Sequence, residues 1–140
     1  MSKIAVVYWS GTGNTEAMAD LVANAAQSAG ATVDKMTSAE FNAADAANYD
    51  GFALGCPAMG AEQLEESEFE PMFESCESKL SGKKIALFGS YGWGDGEWMR
   101  NWEERCVGDG ALMACEPVIC NDAPEDDTVV ELNALGAALA

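Results

Sequence analysis

Apolar positions fall into short runs and helical stripes that alternate along the chain. Lys3-Ile-Ala-Val-Val-Tyr8 is apolar and β-branched without alternation, the pattern of a parallel strand covered on both faces. Met18, Leu21, Val22, Ala25 and Ala29 then recur at helical spacing, which predicts a helix over 16–29 that Gly30 stops. Thr32-Val-Asp-Lys-Met36 reads as a short second strand and Gly51-Phe-Ala-Leu-Gly-Cys56, ended by Pro57, as a buried third one. The Ala-rich link between them leaves helix and loop both open.

Further along, Phe69, Met72, Phe73 and Cys76 form an i, i+3, i+4, i+7 stripe, with Pro71 in the first turn of a helix over 68–79. Lys83-Lys-Ile-Ala-Leu-Phe-Gly89 is a fourth strand, and residues 96–107 form a helix with Trp98, Met99 and Trp102 on its apolar face. A last strand over 112–120 is interrupted by Pro117, which suits a sheet edge, and a closing helix runs over 125–139. This alternation predicts an α/β fold: a three-layer, doubly wound sandwich with a five-stranded parallel sheet in one domain spanning 1–140. In such sheets a ligand sits beyond the carboxyl ends of the strands, so the loops after strands one, three, four and five are where function is expected.

Composition narrows the choice. The chain has 140 residues, with 7 Lys and Arg against 24 Asp and Glu and a formal net charge of −17. That surface repels nucleic acid and anionic lipid. No apolar run approaches the roughly 18–20 residues of a membrane span, and residues 1–10 lack a basic, signal-like start, so a cytoplasmic location is expected. Histidine is absent, which removes His-dependent triads. Five cysteines without zinc-type or cluster-type spacing suggest reduced thiols and no protein-ligated metal.

The loop after strand one, Ser10-Gly11-Thr12-Gly13-Asn14-Thr15, opens a helix, so backbone N–H groups and the helix dipole converge there on a place suited to an anion. It lacks the Walker lysine, and Glu16 stands where the dinucleotide fingerprint needs glycine. With no cationic residue between Lys3 and Lys35, the fitting ligand is a terminal phosphomonoester held by neutral donors. After strand three, Pro57, Ala58, Met59, Gly60 and Glu62 combine a polarisable side chain, a permissive glycine and an acceptor carboxylate, parts for a flat heterocycle. After strand four, Ser90, Tyr91, Gly92, Trp93 and Gly94 display aromatic rings on glycine-rich backbone, where Trp93 can stack on a planar ring.

Together the segments Trp9-Ser-Gly-Thr-Gly-Asn-Thr-Glu16, Leu54-Gly-Cys-Pro-Ala-Met-Gly60, Leu64-Glu-Glu-Ser-Glu-Phe-Glu-Pro71 and 82–100 resemble flavodoxins, in particular the short-chain clostridial type. The resemblance implies strand order 2-1-3-4-5 and noncovalently bound FMN, with phosphate on residues 10–15 and a further contact from Ser90. It places Met59 and Trp93 beside the isoalloxazine and Glu62 on the ring N3–H, and it gives the Gly60 carbonyl the N5–H of the semiquinone. Asn121, after the last strand, is a candidate contact to the ring or ribityl chain. Ala61 departs from the acidic or hydroxyl residues of relatives.

The function so implied is a low-potential one-electron carrier, shuttling mainly between semiquinone and hydroquinone, and not an enzyme. An FMN-dependent oxidoreductase with its own small substrate is the alternative. A phosphotransfer receiver domain shares the fold but needs acidic residues where this chain has Ser10-Gly11 and Cys56-Pro57. The acidic block Glu62, Glu65, Glu66, Glu68, Glu70, Glu74 and Glu77 contains no Lys or Arg, and reads either as a solvated face or as a docking surface for basic faces of redox enzymes. A monomer is expected from the charge.

Overall fold

Ile4, Val6 and Tyr8 point to one side of the first strand and Ala5 and Val7 to the other, and each set lies in a separate hydrophobic core. A strand buried on both faces needs helices on both sides, and the computed structural model, which describes residues 2–11, 13–59, 63–92 and 96–140, has them. Strands β1 (Lys3–Tyr8), β2 (Thr32–Thr37), β3 (Gly51–Gly55) and β4 (Lys84–Tyr91) pair in parallel in the order β2-β1-β3-β4. Helices α1 (Asn14–Ser28) and α4 (Asp126–Leu139) cover one face through Met18, Val22, Leu132 and Leu135. Helices α2 (Phe69–Cys76) and α3 (Glu97–Gly108) cover the other through Phe69, Phe73, Trp98 and Trp102.

The fifth row of the sheet differs from a single interrupted strand. Two segments, β5 (Leu112–Met113) and β6 (Val118–Asn121), pair in turn with β4, Lys84 and Ile85 against the first and residues 88–91 against the second. Pro117 has no N–H to give to a ladder, which accounts for a break rather than a mere irregularity. The Ala-rich link is a 3₁₀ helix (Ala43–Asn48), capped by the Asn42 side chain, which accepts from the Ala44 N–H at 2.9 Å. The stripe over 68–79 is α-helical only as far as Cys76 and tightens to 3₁₀ over Glu77–Lys79. Helix α1 starts at Asn14, two residues ahead of the apolar pattern, which puts Thr15 in its first turn.

Among the described residues no helix is long and apolar enough to cross a membrane. Burial pushes the Cys106 thiol up to about 12 and raises Cys56, Cys76, Cys115 and Cys120 too, so these thiols stay protonated at neutral pH.

Candidate functional site

Gly13 is the residue that turns the β1 loop into α1. It sits in the left-handed region at φ 97°, donates its N–H to the Ser10 hydroxyl at 3.0 Å, and leaves α1 without a side-chain cap. The first N–H groups of a helix have no partner within it, and here the positive end of the dipole opens toward the loop. Thr15 follows in the first turn, 1% exposed, its hydroxyl without a partner among the described residues. An unmet buried hydroxyl costs about 1–3 kcal/mol, so this group awaits a polar ligand. Thr12 lies outside the described residues.

A cavity of about 240 Å³ brings the expected loops together. The β1 loop contributes Trp9, Ser10, Gly11, Asn14 and Thr15, and the β3 loop contributes Pro57, Ala58 and Met59. From β4 come Ser90, Tyr91 and Gly92, and from the loop after β6 comes Asp122. The β3 and β4 ends are held by ladder bonds that outrun β3 itself: Cys56 N–H to Phe88 O at 3.2 Å and Ala58 N–H to Ser90 O at 3.1 Å. Met59 and Gln63 exchange both backbone hydrogen bonds, at 2.9 and 3.1 Å, which ties these two residues together. Gly60 and Glu62, and Trp93 and Gly94, lie outside the described residues.

Ser90 lines the cavity, and its hydroxyl donates to the Asp122 carbonyl at 2.6 Å, which joins β4 to the loop after β6. Asp122 takes φ 59° and donates its N–H to Tyr91 O at 2.9 Å, which holds it at the cavity rim. Asn121 lies one step away, on an adjoining recess with Glu125, Asp127 and Thr128 that shares Tyr91 and Asp122 with the cavity. Trp9 is the other lining residue that the motifs did not single out. Its signal was an aromatic ring placed directly after a buried strand.

The acidic block is only partly a surface. Glu65 is 5% exposed and accepts the N–H groups of Ser67, Glu68 and Phe69 at 2.9, 2.7 and 2.9 Å, capping α2 from four residues upstream. Burial works to raise its carboxyl, but these hydrogen bonds outweigh that and hold it below the usual range. Arg105 of α3 grips Glu70 with two bonds at 2.9 and 2.5 Å, reaches Glu77 at 2.7 and 3.2 Å, and lies over the Phe73 ring at 4.8 Å. The block is thus neither free of a cation nor uniformly solvated. Glu66, Glu68 and Glu74 are its exposed members among the described residues.

Residues 6–133 match a family model described as Flavodoxin. The chain belongs to the flavodoxin family. It is 51% identical over 121 residues to the flavodoxin of Clostridium beijerinckii, covering 86% of this chain and 88% of that one. It is 47% identical over 137 residues to the flavodoxin of Megasphaera elsdenii, covering 98% of each. The solution structure of two-electron reduced Megasphaera elsdenii flavodoxin superposes with a TM-score of 0.89 at 46% identity, over 98% of this chain and 99% of that one. Flavodoxins are electron-transfer proteins, and the cofactor is FMN. The residues present fit that group. The unmet Thr15 hydroxyl and the α1 N-terminus suit a phosphate, and Pro57, Ala58, Met59 and Tyr91, which line the same cavity, suit a flat ring.

Proposed function

We propose that the chain is a low-potential one-electron carrier that binds FMN noncovalently in the cavity between the β1, β3 and β4 loops. The observation that carries the reading is the buried, unpartnered Thr15 hydroxyl at the uncapped start of α1, in a cavity whose other walls are Met59 and Tyr91. When bound, FMN supplies stepwise one-electron chemistry.

The chain's part is binding and electrostatics. Ser10, Gly11, Thr12, Gly13, Asn14 and Thr15 hold the phosphate through neutral donors, and Met59 and Trp93 flank the ring. The Gly60 carbonyl would hold a proton at ring nitrogen N5, next to Met59, which pairs with Gln63. Glu62 accepts from ring N3. Asp122 at the rim and a net charge of −17 oppose further negative charge on the ring, which makes the second electron the harder one and sets the working couple between the one- and two-electron-reduced levels. Exposed Glu66, Glu68 and Glu74 suit transient, salt-sensitive docking to basic faces of redox enzymes. The protein so read works as a cytoplasmic monomer and not as an enzyme.

Anaerobic stepwise reduction followed by visible absorption tests the reading. Yellow protein passing through a blue one-electron-reduced stage before bleaching is the expected course. Direct bleaching, together with rapid NADPH oxidation by the holoprotein with a quinone and no added reductase, overturns it in favour of an FMN-dependent oxidoreductase.

A further inference from the structure

The β1 loop borders a second recess, which shares Trp9, Ser10 and Gly11 with the cofactor cavity but is otherwise lined by residues outside it. It measures about 350 Å³ and lies between the loop, the end of β2 and the start of α2. Among the described residues, apart from the Trp9 indole, the side chains that bring polar atoms to it carry only oxygen: Tyr8, Ser10, Glu16, Thr37, Ser38 and Glu68. Some of this oxygen is committed. The Tyr8 hydroxyl donates to Glu16 Oε2 at 3.0 Å, and the Thr37 hydroxyl donates to Glu40 at 3.1 Å. Ser38 is different. Its backbone N–H is fixed to Tyr8 O at 2.8 Å and its side chain is 3% exposed, yet its hydroxyl has no partner among the described residues. A buried hydroxyl left unmet inside a recess bearing two carboxylates points to a ligand that bonds oxygen.

The ligand's charge follows from the surroundings. Residues 4–34 contain no Lys or Arg. Lys35, whose Nζ lies 5.8 Å from the Tyr8 ring centroid, is paired with Asp20. Two carboxylates thus stand beside a loop read as a phosphate site, and the basic side chain next to them is already engaged. Among the described residues no group of three or more His, Cys, Asp or Glu side chains is placed to hold a metal ion, so a bare ion would lack ligands. Mg²⁺ suits these terms, because it keeps several waters and is held by one or two carboxylates beside a phosphate. Six waters at about 30 Å³ each need roughly 180 Å³, which a recess of about 350 Å³ accommodates.

We propose that this recess binds a hydrated divalent cation, Mg²⁺ foremost, held through its water shell by the carboxylates of Glu16 and Glu68, with the Ser38 hydroxyl bonded to one of those waters. The ion offsets the charge of the phosphate in the neighbouring loop, a consequence that rests on the phosphate assignment above. The site itself does not.

Mn²⁺ is the probe, followed by electron paramagnetic resonance in the FMN-free and FMN-loaded chain at constant ionic strength. One Mn²⁺ per chain, displaced by Mg²⁺, is expected, with the bound signal lost in Glu16→Gln/Glu68→Gln and weakened in Ser38→Ala. Diffuse uptake without a stoichiometric end point, or uptake the same in the parent and both variants, overturns the proposal. In parallel, FMN binding is expected to be roughly tenfold tighter in Mg²⁺ than in Na⁺ of equal ionic strength, while riboflavin binding is unchanged. If a stoichiometric Mn²⁺ site is found but FMN and riboflavin bind alike, the phosphate assignment fails and the cation site stands. If the site is missing while FMN outbinds riboflavin, the cation proposal fails alone.

Discussion

The indole N–H of Trp98 donates to the Cys56 carbonyl at 3.1 Å, in the interior, where β3 gives way to its loop. The same carbonyl occupies the space beside Gly89: a Cβ added there would stand 2.2 Å from Cys56 O and 3.1 Å from the Trp98 ring. Backbone cannot yield as a flexible side chain can, so Gly89→Ala is expected to part β3 from β4 just below the cavity. Loss of at least about 2 kcal/mol in urea unfolding, with FMN affinity falling as well, is the anticipated result. Unaltered stability would show that the two strands separate cheaply.

Thr15→Val removes a buried hydroxyl and keeps the shape. Without cofactor the variant should be as stable as the parent or more so by about 1 kcal/mol, because the unmet group is gone. FMN affinity should fall about tenfold while riboflavin affinity stays the same. Equal losses for the two ligands, measured by fluorescence quenching, would move the hydroxyl away from the phosphate.

Glu65→Gln tests the cap of α2. Its carboxyl is held low in the folded chain, so the stability it lends is present above its unfolded value, near 4.5, and is lost as pH falls through the depressed folded value. The variant should unfold about 1–3 kcal/mol more easily at pH 7, and parent and variant should converge in acid. A gap that stays constant with pH would remove the charge from the explanation.

Asp109 titrates in the opposite sense. Burial first, and then the neighbouring Glu77 carboxylate, push its carboxyl up to about 6, with Arg105 opposing. The folded chain therefore binds the proton more tightly than the unfolded one, and stability declines as pH rises from about 4 to about 6. Asp109→Asn should raise the melting temperature at pH 7.5 and change it little at pH 4. Equal gains at both would show that repulsion by Glu77 is not the cause.

Trp93→Ala and Gly60→Ala separate stacking from the turn. The first should weaken FMN binding. The second should chiefly lower the yield of one-electron-reduced flavin, and an unchanged yield would remove the Gly60 carbonyl from the account.

The residues legible in the sequence were those whose chemistry is local. Ser10, Asn14 and Thr15 declare themselves because a strand, a glycine-bearing polar loop and a helix follow one another directly, and Met59 because its strand is ended by Pro57. The roles of Glu65 and Arg105 are not legible, for the converse reason. The capping role of Glu65 depends on the chain folding back over its own next four residues, and Arg105 meets Glu70 and Glu77 only because α3 packs beside α2. A search for basic residues inside the acidic run cannot find a partner on another helix. That Asp122 lines the cavity is hidden for a subtler reason. The register of Asn121 opposite Tyr91 and the positive φ of the next residue bring Asp122 to the cavity, and neither is visible in composition.

The gap between β5 and β6 divides the last row of the sheet into two anchors, one at the far edge and one beside the cofactor cavity. Of the residues between them, Ala114 keeps a backbone bond to Ile85 O, and Pro117 can offer no N–H. Extra chain spliced in after Cys115 would therefore lengthen a seam without tearing a ladder. The seam is the natural place to graft an epitope, a fluorophore or a tether to an electrode, with the electron-carrying end of the molecule left as it is.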